Sequence, residues 1–350
     1  MQRKRVVIVD DSPTMRAMIA RALGQDGRFD VVGEAADPYE AREVIKRTDP
    51  DVLTLDVEMP RMDGIAFLEK IMRLRPMPVV MFSSETHAGS RAAVEALSIG
   101  AVDALGKPTA AAPEALAALA KRVFVAAGAS VGPPRAAPPA PAAAESFAWN
   151  GRVVLIGAST GGVDALERVL GGLPASGPPV LVTQHMPGSF LASFAERLNG
   201  QTGPEVTLAR PGAPVAPGRV YIAPGGETHL VLEGAPGRFR CGLAAGERVS
   251  GHRPSVDVLF RSALRHAPEV VAVLLTGMGR DGAEGMAALR EAGAHTIGQD
   301  AATSVVYGMP RVAAELGGVA EVRPLDAIRG AILRATAGPA GRGVGAAGAA

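Results

Sequence analysis

Short apolar runs that stop abruptly at a chemically capable residue recur along this chain, and few folds accommodate that pattern. Val6–Val9 stops at Asp10 and Asp11, Val52–Leu55 at Asp56, and Val79–Phe82 at Ser83 and Ser84; Ala101–Leu105 is followed by Lys107 and Pro108. Farther on, Val153–Ile156 leads to Ser159, Val180–Thr183 to His185, and Val270–Thr276 to Asp281. Such runs, separated by helix-length segments, read as strands of parallel sheets with helices on both faces. Loops at the carboxyl ends of parallel strands gather along one edge, where ligands bind. The polar groups are therefore expected to converge in two places.

There are two places because the pattern is interrupted. Residues 1–125 hold five βα units, with a further strand over Val31–Gly33 and helices over Thr14–Leu23, Tyr39–Arg47 and Ile65–Arg73. Residues 126–148 lack apolar periodicity and carry Gly132-Pro-Pro-Arg-Ala-Ala-Pro-Pro-Ala-Pro141, the composition of a linker. Residues 149–338 resume the α/β pattern, with strands also over Val220–Ala223 and Leu230–Leu232 and helices over Phe190–Leu198 and Val256–Leu264. The Ala/Gly-rich stretch 339–350 is expected to be a disordered tail. The expectation is two α/β domains with parallel or mainly parallel doubly wound sheets.

Net charge is +1 and aromatics are 4%, so no basic, aromatic-laced surface for nucleic acid is expected. A single cysteine excludes an internal disulfide and fits a reducing compartment. The apolar run after Arg5 ends at Asp10, too short for a signal peptide, and no stretch has the length of a membrane span. A cytoplasmic protein, without membrane insertion and monomeric, is expected.

In the first half, Asp10, Asp11, Asp56, Ser83 and Lys107 stand at successive strand ends. Clustered carboxylates repel one another unless a hard cation such as Mg²⁺ sits among them. Asp56 can then accept a phosphoryl group, with the Ser83 hydroxyl and the Lys107 ammonium holding the phosphate oxygens. The competing reading is that Asp10 and Asp11 cap the helix beginning near Ser12 and that Lys107 faces solvent.

In the second half, Gly157-Ala-Ser-Thr-Gly161 fits a nucleophile elbow, a phosphate-cradling loop or a plain strand-to-helix turn. His185 could serve as base to Ser159, and Asp281 could fix the imidazole tautomer. Gly277-Met-Gly279 is flexible enough to aim the Met278 amide at a developing oxyanion. Gly161 and Gly162 would allow a substrate backbone to come close to Ser159. Alternatively, His185 is a satisfied core histidine and Asp281 a turn or cap residue. No metal-ligand spacing occurs, so no cofactor is expected in this half.

The text Val9-Asp-Asp-Ser12, Leu55-Asp-Val-Glu-Met-Pro-Arg-Met-Asp-Gly64, Met81-Phe-Ser-Ser84 and Lys107-Pro108 resembles the response-regulator receiver domain over about residues 4–125. The resemblance implies a flavodoxin-like fold, Asp56 as phospho-acceptor, and Asp11, Asp56 and the Glu58 carbonyl as Mg²⁺ ligands with Asp10 supporting them. Receivers often carry an aromatic residue three positions before the lysine; here it is Ala104, so an aromatic relay is not expected. The second half resembles the chemotaxis protein-glutamate methylesterases of the CheB type, in Gly157-Ala-Ser-Thr-Gly-Gly162, Gln184-His-Met-Pro187, Arg253-Pro-Ser-Val-Asp-Val-Leu-Phe260 and Leu275-Thr-Gly-Met-Gly-Arg-Asp-Gly282, in family order. That resemblance implies a Ser159, His185, Asp281 triad, Thr160 beside the nucleophile and Met278 as oxyanion amide. It further implies demethylation of chemoreceptor methylglutamates, releasing methanol, and deamidation of receptor glutamines. A histidine kinase would be the phosphodonor. The alternative from another class is a phospho-switched interaction protein whose second domain binds without reacting.

Overall fold

The computed structural model describes residues 2–83, 87–107, 113–132 and 147–338. Ser84, Pro108, most of the expected linker and the expected tail lie outside the described residues. The N-terminal domain runs β1 (Lys4–Val9), α1 (Pro13–Gln25), β2 (Phe29–Ala35), α2 (Pro38–Thr48), β3 (Val52–Asp56), α3 (Gly64–Leu74), β4 (Val79–Ser83), α4 (His87–Ile99), β5 (Asp103–Gly106) and α5 (Pro113–Ala126). Its five strands are parallel in the order β2-β1-β3-β4-β5. The order reverses beside β1, so the loops after β1 and β3 form the crevice.

Helix starts are written locally. The Ser12 hydroxyl accepts from Met15 N (3.3 Å), and Pro13 opens α1. Asp37 accepts from Tyr39 N and Glu40 N ahead of α2, and Asp63 from Ala66 N ahead of α3. Gly64 is obligatory: a Cβ there would lie 1.9 Å from the Asp56 carbonyl oxygen. The last strand begins at Asp103 rather than Ala101, because the Ala101 amide is taken up by Ala96 O at the end of α4.

The C-terminal domain continues with β6 (Val153–Ala158), α6 (Gly162–Leu170), β7 (Val180–Gln184), α7 (Gly188–Asn199), β8 (Glu205–Leu208), β9 (Arg219–Ile222), β10 (Thr228–Glu233), β11 (Arg240–Ala245), α8 (Val256–Ser262), β12 (Val270–Leu274), α9 (Ala283–Glu291), β13 (His295–Gln299), α10 (Met309–Glu315), β14 (Glu321–Arg323) and α11 (Leu325–Thr336). Seven strands form one all-parallel sheet, β14-β13-β12-β6-β7-β9-β8. The Leu230–Leu232 run lies outside it, in an antiparallel hairpin of β10 and β11. Strand β12 stops at Leu274, two residues earlier than its apolar run suggests. Thr276 turns out of the ladder, and its amide donates to Gln299 Oε1 (2.7 Å).

The two domains share a core. Ala93, Val94, Ala96 and Leu97 of α4 join one buried cluster with Val163, Leu166, Phe190 and Phe194 of α6 and α7. Beside this contact, Ser98 Oγ donates to Glu167 Oε2 (2.7 Å), and Arg197 donates to both Ser98 Oγ and Glu167 Oε1 (2.7 Å each). Behind α5, the Ser130 amide donates to Val305 O (3.0 Å), and the Val305 side chain packs against the N-terminal domain's core.

Candidate active site

Strand order decides which polar groups meet. In the C-terminal sheet β6 is flanked by β12 and β7, and the residues following these three strands are Ser159, His185 and the loop reaching Asp281. Ser159 and His185 line one cleft of about 340 Å³ together with Thr160 and Met278. Its opposite wall comes from the N-terminal domain: Leu97, Val102, Asp103, Ala104 and Arg122. Arg122 is tied to Asp103 by a two-pronged ion pair.

Asp281 is buried and saturated. It accepts from Ser255 Oγ (2.7 Å), Val256 N (2.7 Å) and Asp257 N (3.1 Å) where α8 begins, and pairs with His185 Nε2 (2.7 Å). Burial opposes its charge, but the bond to His185 and the other donors outweigh it and hold its carboxyl below the usual range. An ionised carboxylate only accepts, so His185 Nε2 carries the proton. Nδ1, buried and without a hydrogen-bond partner, is then the basic nitrogen. Asp281 caps no following helix; Gly282, at φ +84°, is the residue before α9.

Ser159 is 8% exposed and sits on a turn whose amide donates to Thr276 O (3.0 Å). Its carbonyl accepts from Gly162 N (2.7 Å) and Gln184 Nε2 (3.0 Å). Among the described residues no hydrogen bond joins the Ser159 hydroxyl to His185. A Cβ at Gly161 would strike Val305 and one at Gly162 would strike Gln184 Oε1, so internal packing also demands glycine at these two cleft-lining positions. Close approach also matters at Gly277, where a Cβ would lie 2.7 Å from Ser159 Cβ. The Gly277–Gly279 loop therefore lies directly against the serine. It is pinned by Gly277 N to Val306 O, by Gly308 N and Met309 N to Gly277 O, and by the Thr276 hydroxyl to Thr160 O.

Gln184, Ser255, Thr276 and Gln299 held no role on sequence grounds. The only signal was position: Gln184 precedes His185 at a strand end, and Ser255 starts a helix. What they bind lies up to 116 residues away, as with Thr276 and Thr160.

In the N-terminal domain, carboxylate oxygens of Asp10, Asp11 and Asp56 lie within 4.8 Å of one another. Lys107 Nζ donates to Asp56 Oδ2 (2.7 Å) and stands 3.9 Å from Asp10 Oδ2. Ser83 is buried at the end of β4, and the Glu58 amide donates to Asp56 Oδ1 (3.2 Å). Burial, then the charge of Asp56, raise the Asp10 pKa to about 6; burial likewise raises that of Asp56. Asp10 Oδ2 is buried without a hydrogen-bond partner. A crowded acidic pocket with an orphaned carboxylate oxygen suits a hard divalent cation. Ser12, not Asp10 or Asp11, caps α1.

Fold and geometry together define a class: an α/β domain with Ser159, His185 and Asp281 at neighbouring strand ends, its cleft walled by a receiver-like domain that carries a carboxylate pocket. The comparisons agree. The response regulator receiver domain model matches residues 6–120, and the CheB methylesterase model matches residues 154–332. The chain is 53% identical over 339 residues to protein-glutamate methylesterase/protein-glutamine glutaminase 1 of Caulobacter vibrioides, covering 95% of this chain and 98% of that protein. It is 51% identical to the protein-glutamate methylesterase/protein-glutamine glutaminase of Rhizobium etli, covering 95% and 96%. The Thermotoga maritima CheB methylesterase catalytic domain superposes with a TM-score of 0.51 at 36% identity, covering 53% of this chain and 98% of that one. The chain belongs to the CheB methylesterase family.

Proposed function

We propose that this protein is a phosphorylation-gated protein-glutamate methylesterase and glutamine deamidase acting on chemoreceptors. The observation that carries the reading is the hydrogen bond of buried Asp281 to His185, which lines one cleft with Ser159 at the carboxyl ends of adjacent parallel strands. Ser159 Oγ attacks the γ-carbonyl of a receptor methylglutamate while His185 Nδ1 takes its proton. Asp281 stabilises the imidazolium through Nε2, and the Met278 amide, with Thr160 alongside, faces the oxyanion. His185 returns the proton to departing methanol, or to ammonia from a glutamine. Water activated by the same nitrogen then releases the glutamate. The His185–Asp281 hydrogen bond beside Ser159 favours this over a binding module, and labelling of Ser159 by a fluorophosphonate tests it.

The receiver wall is the gate. Asp56 would accept a phosphoryl group from a histidine kinase, with Ser83 and Lys107 on the phosphate oxygens. Mg²⁺, held by Asp11, Asp56 and the Glu58 carbonyl with Asp10 behind them, would neutralise charge during transfer. The added charge of about −1.5 to −2 reshapes the face that covers the cleft. Residues 1–125 and 149–338 would act as switch and enzyme, joined by residues 126–148. The protein would work as a cytoplasmic monomer. No helix among the described residues is long and apolar enough to cross a membrane.

A hundredfold gate requires only about 2.7 kcal/mol of differential docking. Asp56→Asn is expected to keep the basal esterase rate and lose stimulation by a small-molecule phosphodonor; equal stimulation of variant and wild type would refute the gate. Glu167→Ala, which breaks the Ser98–Glu167–Arg197 contact, removes a charge-assisted interaction of about 1.5 kcal/mol. It should raise the unphosphorylated rate about tenfold and the fully phosphorylated rate little, measured as methanol release with and without phosphodonor.

A further inference from the structure

His252 plays no part in the mechanism above, yet its ring stacks on that of His185, centroids 3.7 Å apart and planes 3° from parallel. It lines the same cleft as Ser159. Its backbone is fixed, His252 N to Val249 O (2.9 Å) and Val249 N to His252 O (3.1 Å). The next residue, Arg253, anchors the segment by donating to Gly226 O and Gly246 O (2.8 Å each). Three residues on, Ser255, Val256 and Asp257 supply the donors that hold Asp281. A single stretch, residues 252–257, thus grips the acid by its oxygens and lies against the face of the histidine.

We propose that His252 is a positioning residue, whose ring holds the His185 imidazole in the plane that keeps Nε2 on Asp281 and leaves Nδ1 for Ser159. This rests on the esterase reading above. A ring on a single Cβ–Cγ bond can turn, and half a revolution puts Cδ2 and Cε1 where Nδ1 and Nε2 stood, taking Nε2 off Asp281. A parallel ring at 3.7 Å blocks that rotation, because the turning edge would enter its van der Waals volume. His252 can do this without opposing the imidazolium that forms during attack. Burial first, and then the neighbouring His185, hold its pKa down to about 3, so the ring stays neutral. Asp281 acts the other way on it; Arg122, from the cleft wall, and Lys121, next to it in sequence, act with burial.

The role belongs to an aromatic plane rather than to an imidazole, so the test compares His252→Ala with His252→Phe. Both are measured in the full chain with Mg²⁺ and phosphodonor, by fluorophosphonate labelling of Ser159 and by methanol release from methylated receptor. The alanine variant should lose about 10–100-fold in labelling rate and kcat, the scale of a misplaced catalytic group, with KM little changed. The phenylalanine variant should recover most of that loss. Wild-type rates in His252→Ala, or no recovery in His252→Phe, would overturn the proposal. Failure of the wild-type protein itself to label would instead remove the esterase reading, and the positioning role with it.

Discussion

Ser159→Ala is expected to lower methanol release from a methylated receptor by about 10⁶-fold, the typical loss when an activated serine nucleophile is removed. The size follows from the reaction's two halves. Without Oγ there is no acyl-enzyme, and His185 can only activate water against an ester held by binding and the Met278 amide. The substitution should not disturb the fold. Ser159 engages its neighbours through its backbone, donating to Thr276 O and accepting from Gly162 N and Gln184 Nε2, and all three bonds survive in alanine. Thermal unfolding should therefore match wild type within about 0.5 kcal/mol. The measurement is methanol production by the phosphodonor-treated full chain. Residual activity within a hundredfold of wild type would assign the chemistry to another residue.

Asp281→Asn should cost about 10⁴-fold in kcat, the loss seen when a triad carboxylate becomes an amide and the histidine adopts the wrong tautomer. Here the constraint is tight. The carboxylate receives four donors, from Ser255, Val256, Asp257 and His185, and an amide cannot accept with its nitrogen. If the amide nitrogen faces His185, Nε2 must become the acceptor and Nδ1 the protonated, non-basic atom. In either orientation it meets an amide donor where α8 begins, Val256 N on the Oδ2 side or Asp257 N on the Oδ1 side, at a cost of about 1–3 kcal/mol in stability. The pH dependence has a definite sign. The native pKa of Asp281 lies below its ordinary value, so its stabilisation is present above the unfolded pKa of about 3.9 and fades as pH falls through the lower native value. Asp281→Asn should accordingly show a flatter stability profile below about pH 4. An unchanged kcat would mean that His185 needs no partner at Nε2.

Much of this was legible in sequence because periodicity and capping are local. The runs at Val6, Val52, Val79, Val153, Val180 and Val270 became central strands, fully buried and paired on both sides. The strands not anticipated, β8, β11, β13 and β14, include two short edge strands with exposed or half-buried positions, Glu205–Leu208 and Glu321–Arg323. An edge strand with one open side needs no continuous apolar run, so it leaves no such mark. Thr276 misled in the opposite direction. It extends an apolar run, yet its backbone leaves the ladder to hold the loop beside Ser159.

The sequence by itself determined two parallel-sheet domains, and it placed Ser159, His185, Asp281 and the acidic residues Asp10, Asp11 and Asp56 at strand ends. These are consequences of alternating short apolar runs and helical segments, which each stretch of chain carries alone. Tertiary structure alone decided which ends are neighbours, since the order β12-β6-β7 follows from crossovers that no local pattern encodes. It also decided that Asp281 meets His185 at Nε2 and not Nδ1, that His252 lies flat against that ring, and that Leu97, Ala104 and Arg122 wall the cleft. Each is a contact across tens to about two hundred residues, made only when two packed domains and seven strands bring separate surfaces to van der Waals distance.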